Sequence, residues 1–254
     1  MAITAPRIPV TADPEGSYTR GSQGTTLNIA SKPTTYTPAT ADNAIGIISL
    51  ALTNTTAPAV TTPSGWTLLD TTSQGGTVTG DSVRQYTYWR RLVTGDGDVT
   101  FSGITGIRFY VYTVILGADT SASPFGTITS GVQNTATSSL SISGITTGQN
   151  NSLVLYIISS ELASTSTNFL GTPANSSLVS VREHYETCIN TAPGNSRAQA
   201  SGELVTAGAS GTFTATMPGS NVHVWTTIEV KGIDAGGGGG TVLGGRISLL
   251  GVGR

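Results

Sequence analysis

Charge is what this chain has least of. Only 10% of its 254 residues are charged, and just two are lysine, Lys32 and Lys231. Soluble domains ordinarily carry about 25%, so the surface must be wetted by serine, threonine, asparagine and backbone amides. The same shortage excludes long solvent-facing helices, which draw on Glu, Lys, Arg and Gln, whereas Ser and Thr suit strands and turns. With a formal net charge of −2, the chain has no basic patch able to displace counterions from phosphates, which excludes nucleic acid as a partner. A lone cysteine, Cys188, excludes an internal disulfide and leaves stability to a buried core. No apolar run approaches a membrane span. Residues Met1 to Gly16 contain Arg7 but are broken by Pro6, Pro9 and Pro14, so no secretory signal is expected there and no membrane partner either.

What is present reads as strands. Thr25 to Ala30 alternates, and AIGIISLAL (Ala44 to Leu52) is a short isoleucine-rich run between turn-formers, the pattern of a buried strand. Ser82 to Leu92 is expected to be a strand with neither face cleanly apolar, followed by a turn at Gly95 to Gly97, a short strand at Asp98 to Phe101 and a long one at Ile107 to Ile115. The second half follows the same order: SLVLYIIS (Ser152 to Ser159), then Ser177 to Glu186, then a polar strand from Arg197 to Val205. DVTFSG followed by IRFYVYTVILGAD in the first half resembles GTFTAT followed by VHVWTTIEVKGID in the second. These features predict an all-β chain, an antiparallel β-sandwich or jelly roll built from two quasi-repeated half-units with extended terminal arms. The expected organisation is an N-terminal arm (1–20), a sandwich domain (21–234), a glycine tether (235–240) and a C-terminal docking peptide (241–254).

Groups for catalysis are sparse. His184 and Cys188 are four residues apart, about 13 Å along an extended strand, too far to share an ion without a turn; His184 reads as a surface side chain and Cys188 as an ordinary thiol. Pro63-Ser64-Gly65-Trp66 lacks the Gly-x-Ser-x-Gly spacing of a nucleophile elbow and reads as a turn feeding a core tryptophan. Asp96-Gly97-Asp98 suits a calcium ligand or, more simply, a β-turn. Glu161, Glu183, Glu186, Glu203 and Glu229 are scattered, and nothing in the sequence selects an acid/base pair among them. The expectation is a non-enzyme with no catalytic residue, no metal and no cofactor.

Two features suggest contacts instead. Tyr86, Tyr88, Tyr110 and Tyr112, with Arg84, Arg90 and Arg108, fall on two long strands and suit a stacking surface for sugars or a flat interface, or else the rim of the core. After the run Gly236 to Gly240, a flexible tether by composition, comes an apolar peptide. Its Val242, Leu243, Arg246, Ile247, Leu249, Leu250, Val252 and Arg254 are expected to dock on a neighbouring chain.

Taken in order, PSGWTLL (Pro63 to Leu69), QYTYWRR (Gln85 to Arg91), Gly95 to Gly97, Val99-Thr100-Phe101 and the strand ending ILGAD (Ile115 to Asp119) resemble a β-sandwich module of tailed-bacteriophage virion proteins, found also in some bacterial surface proteins. The resemblance spans Ala44 to Asp234, and its motifs are structural. The alanine-rich stretch usual after the aromatic strand is here the short Leu92-Val93-Thr94. It implies a non-enzymatic virion component, folded in the host cytoplasm, whose partners are capsid or tail proteins and copies of itself. A head decoration or cement protein is the first expectation. The alternative is a tail-fibre or tail-tip module that binds a host-surface glycan through the tyrosine surface.

Overall fold

The structure is a computed structural model and describes residues 6, 15–19, 26–29, 43–53, 60–73, 83–104, 107–161, 164, 166, 168–188 and 196–233. The strands are β1 (Glu15–Thr19), β2 (Thr26–Ile29), β3 (Ile45–Thr53), β4 (Thr67–Ser73), β5 (Val83–Arg91), β6 (Val99–Ser102), β7 (Ile107–Ile115), β8 (Phe125–Ile142), β9 (Ser152–Ser160), β10 (Val179–Thr187), β11 (Ser196–Leu204) and β12 (Phe213–Val230). The chain is all-β, with two antiparallel five-stranded sheets ordered β1-β7-β3-β5-β4 and β10-β11-β9-β12-β8 and a small β2-β6 pair. The first half of the chain makes one sheet and the second half the other. With β2 and β6 set aside, both sheets have the strand order first, last, second, fourth, third within their own half.

The two apolar runs become the central strands β3 and β9, each paired on both sides. Alternation along β3 then divides its side chains between two cores. Ile45 and Ile47 meet Leu155, Ile157 and Ile228 of the opposite sheet. Ile48, Leu50 and Leu52 face outward, where Leu27, Ile29, Val99 and Phe101 of the small pair cover them. In the second half, Leu140 and Ile142 of β8, Phe213 and Ala215 of β12, and Phe169, Leu170 and Leu178 cover Val154, Tyr156 and Ile158 in the same manner. Each large sheet is thus buried on both faces, which explains why β5 shows no apolar face of its own. The two halves also meet end to end. Ala118 bridges Gly232, Asp119 N–H donates to the Lys231 carbonyl at 2.8 Å, and the Lys231 ammonium lies 3.6 Å from the Asp119 carboxylate.

Three readings of the sequence change. Glu15 to Thr19, assigned to the arm, pairs with Arg108 to Tyr112 as an edge strand. Phe125 to Ile142, whose Ser/Thr content gave no strand signal, is an 18-residue strand. Phe213 to Val230 is one strand of 18 residues rather than two. The turn at Pro63 to Trp66 forms as expected: Trp66 N–H donates to the Pro63 carbonyl at 3.1 Å, and Gly65 supplies the positive φ of 77° that the turn requires.

Candidate functional site

Between the sheets, the apolar contact gives way along the strands to a layer of buried polar side chains. Gln85 Nε2 donates to Thr226 Oγ1 at 2.8 Å, Ser159 Oγ donates to Gln85 Oε1 at 2.8 Å, and Thr226 Oγ1 donates onward to Asp70 Oδ2 at 2.7 Å. Thr72 and Ser130 donate to the same carboxylate. Nearby, Thr113 Oγ1 donates to Gln199 Oε1 at 2.6 Å. Arg197, with 0% exposure, reaches from β11 across to β3 and β7, donating to the Ser49 carbonyl at 2.9 Å, the Phe109 carbonyl at 3.3 Å and the Ser49 hydroxyl. Burial pushes the guanidinium down to about 9, with the Tyr185 phenol opposing the shift. The expected polar strand therefore exists, yet β11 is almost wholly buried and its hydrogen bonds are spent inside the protein.

The charged edge strand β10 brings together groups that sequence spacing keeps apart. Residues three apart on a regular strand face opposite ways. Here Glu183 pairs with Ala200 and Glu186 with Ala198, and the register shift between Glu183 and Tyr185 absorbs one residue, so both glutamates share the face of Ala198 and Ala200. Glu186 Oε2 accepts the N–H groups of Phe169 (2.7 Å) and Leu170 (2.9 Å). Burial, a hydrogen bond to Glu186 and the charge of Glu186 push the Glu183 carboxyl up to about 8. Glu183 is thereby biased towards its neutral form beside Glu186, which holds the 168–171 segment. With Glu186 committed to the amides of Phe169 and Leu170, the site is a clasp on that segment.

His184 is half-buried rather than a surface side chain, with Nε2 2.7 Å from Ser201 Oγ, and burial first, then the Arg182 charge, push it down to about 4. The two neighbours give opposite pH dependences. Glu183, raised above its ordinary 4.5, contributes stability that is full below pH 4.5 and is lost as pH rises through about 8. His184, lowered from 6.5, contributes stability present above pH 6.5 and lost as pH falls through about 4. Thermal unfolding across this range should show a maximum on the acid side of neutrality. The alkaline limb should fall by on the order of 1 kcal/mol, discounted for the half-exposed site, and Glu183→Gln should flatten it. An alkaline limb unchanged in Glu183→Gln would refute the raised Glu183 carboxyl. Burial also raises the Cys188 thiol, which makes it a poor nucleophile.

The tyrosine surface is not what folds. Tyr88 and Tyr112 are 0% and 2% exposed, and with Tyr86 they belong to the core beneath β2 and β6. Tyr88 lies against Phe101 with ring centroids 5.0 Å apart, and Tyr112 meets Trp66 edge-on at 5.8 Å. Burial raises the Tyr88 and Tyr112 phenols, Tyr112 to about 12. Tyr110 is half-buried against the same core, Arg84 is half-buried, and the Arg108 side chain lies outside the described residues. So does the whole docking peptide, with Val242, Leu243, Arg246, Ile247, Leu249, Leu250, Val252 and Arg254. Alternation had put these tyrosines on one face; that face is inward because a further layer covers it. Of the Asp96-Gly97-Asp98 pattern, Asp96 is ion-paired with Arg90 and accepts the Val93 N–H at 2.8 Å, the arrangement of a turn. Among the described residues no three His, Cys, Asp or Glu side chains gather as a metal-ligand set.

One surface recess was not legible in the sequence. Pro63, Ser64 and Trp66, Arg90 at the end of β5, and Asp98, Val99 and Thr100 around the start of β6 enclose about 270 Å³. The Arg90 guanidinium carbon lies 5.5 Å from the Trp66 ring centre, within cation–π range. Compared with family models, curated proteins and solved structures, the chain matches none.

Proposed function

We propose that this protein is a non-enzymatic structural component of a tailed-phage particle, a head decoration or cement protein that packs beside copies of itself and attaches through its terminal segments. The resemblance over Ala44 to Asp234 motivates the reading. The observation that carries it is β8: eighteen residues at the edge of a sheet, none charged, with Thr129, Ser130, Val132, Asn134, Thr135, Ala136, Ser138 and Ser139 exposed. Exposed edges are usually guarded by charge, as β10 is by the exposed Arg182. An unguarded, hydroxyl-rich edge suits close packing in an ordered assembly, where guarding charges would have to be desolvated.

The finer architecture we infer is a duplication. The shared strand order of the two sheets, the covering layer on the outer face of each, and the matching of Phe101 with Phe213 all support it. A jelly roll, by contrast, would distribute each half over both sheets. The adhesin alternative loses the tyrosine surface on which it stood.

Deleting 241–254 should leave the sandwich folded, with its unfolding transition unchanged, and abolish incorporation into particles. Immunogold labelling should place the full-length protein on the head. Incorporation of the truncated chain at the full-length level would refute attachment through the tail, and a protein found on no particle would refute the virion reading.

A further inference from the structure

We infer that the free edge of β8 is a homodimer interface, in which residues 128–133 pair antiparallel with the same residues of a second copy about a two-fold axis through Gly131, joining two sheets edge to edge. The inference rests on the packing beside copies proposed above and names its edge, its partner and its register.

The first observation is a regular, open edge. β8 pairs with β12 alone, and among the described residues no other strand or bridge joins its far side. Over 128–133 the register with β12 runs residue for residue, from Ile128 opposite Ile228 to Gln133 opposite His223, and it shifts on either side of that stretch. Alternate N–H and C=O groups of an edge strand point away from its one neighbour, and only an undistorted run presents them at the spacing that a further strand needs. The second observation is Trp225. It stands opposite Gly131 and is half-buried. Its indole reaches over the edge strand, so that a Cβ on Gly131 would collide with Cζ2 and Cε2 of the ring. An aromatic surface is thus laid across β8 at the one position of the run without a side chain, and tryptophan is among the residues enriched at the energetic centre of interfaces.

The chemistry of the edge selects a second copy as the partner. Around a two-fold axis each group meets its own duplicate or a near neighbour of it, so a charge there would face a like charge. β8 carries none. The polar side chains along the run and just beyond it are Thr129, Ser130, Gln133 and Asn134, hydroxyls and amides that both donate and accept and can therefore satisfy copies of themselves. The neighbouring Asp70 carboxylate is already occupied by the hydroxyls of Ser130, Thr72 and Thr226. The pleat then fixes the axis. Antiparallel pairing within one sheet sets residues of the same face opposite each other, so a two-fold axis passes through a residue and not between two. At Gly131 it sets Thr129 opposite the partner's Gln133, and Val132, 36% exposed, opposite the partner's Ser130. Every pair stays inside the regular run, and the two Trp225 indoles come side by side over the paired glycines. A contact of this length lies below the area of standard interfaces, so one pair is weak and gains strength by repetition in an assembly.

The test is analytical ultracentrifugation of the purified full chain across concentration, joined to cross-linking between copies. The chain should dimerise reversibly with a dissociation constant on the order of 10–100 µM, as a small interface allows. Val132→Lys, at an exposed position and in the manner of natural edge guards, should raise that constant about tenfold or more while leaving the unfolding transition in place. Thr129→Cys combined with Gln133→Cys should give a covalent dimer on oxidation, and neither change alone should. Within one chain these positions lie about 13 Å apart along the strand, beyond the reach of a disulfide, whereas across the axis they are directly opposite. A chain still monomeric at about 1 mM would overturn the inference. So would a dimer that Val132→Lys leaves intact, as one built on the C-terminal peptide or another face would be, and so would a dimer in which the cysteine pair does not cross-link. The virion reading fails separately, by absence from particles.

Discussion

Glu229→Ala should lower the unfolding free energy by about 3 kcal/mol, the largest single loss expected among the acidic residues. Glu229 is 1% exposed on β12 and sits where the register with β8 shifts between Ile228 and Val230. The bulge leaves the Thr127 amide without a ladder partner, and the carboxylate takes it up together with an amide of the loop that follows β8. Oε2 accepts the Thr127 N–H at 2.9 Å, and Oε1 accepts the Gly148 N–H at 3.0 Å and the Ser152 hydroxyl at 2.9 Å. Truncation strands three donors, one of them fully buried, and opens a cavity. Gly126 makes room for the carboxylate: a Cβ there would lie 1.9 Å from Oε2, so Gly126→Ala should also destabilise by displacing the clamp. Glu229→Gln retains one acceptor oxygen and should cost about half as much as the alanine change. Urea unfolding of the three variants checks this. A loss under about 1 kcal/mol for Glu229→Ala would mean that water replaces the carboxylate without penalty.

At Arg197 the expected result has the opposite sign. The guanidinium bears a full desolvation penalty, accepts no help from a carboxylate, and its Nε is buried without a partner. Its hydrogen bonds to Ser49 and Phe109 offset part of that penalty. Since hydrophobic replacement of buried ionic groups is often neutral or stabilising, Arg197→Met should be neutral or raise stability by up to about 2 kcal/mol. Arg197→Lys should lower it by about 2 kcal/mol, because an ammonium keeps the charge but lacks the planar fork that reaches both strands. Thermal unfolding of the pair decides between the terms. A Met variant that loses more than about 2 kcal/mol would show that the hydrogen bonds outweigh desolvation. The physical role left for Arg197 is then alignment: it ties β11 to β3 and β7 at one register, a service that an apolar contact does not supply.

Legibility followed how each residue is buried. AIGIISLAL and SLVLYIIS were readable as central strands because they are apolar on both faces, and both faces are covered. The Pro63 turn was readable because its backbone geometry is local. Gln85, Ser159, Gln199 and Arg197 were not, because polar residues in a buried hydrogen-bonded layer have the same composition as polar residues facing water. The tyrosines show the converse: alternation identified their common face and left surface or core open, and the covering layer from β2 and β6 made it the inside. Glu183 and Glu186 meet through a bulge, which shifts facing by one residue and leaves no sequence signal of its own. The Trp66 recess joins three separate segments between Pro63 and Thr100, so no single local pattern contains it.

By itself the sequence determined that the chain is all-β, that serine and threonine replace charge on its surface, and where its two most apolar strands lie, because composition and short-range periodicity act residue by residue. Only the tertiary structure decided which faces are inside, since that depends on a second sheet and a covering layer contributed from far along the chain. The scarcity of charge acquires its meaning there. Several of the few ionic groups, Asp70, Arg197 and Glu229 among them, are spent on holding the sheets and bulges together, and β8 is left at the edge with none.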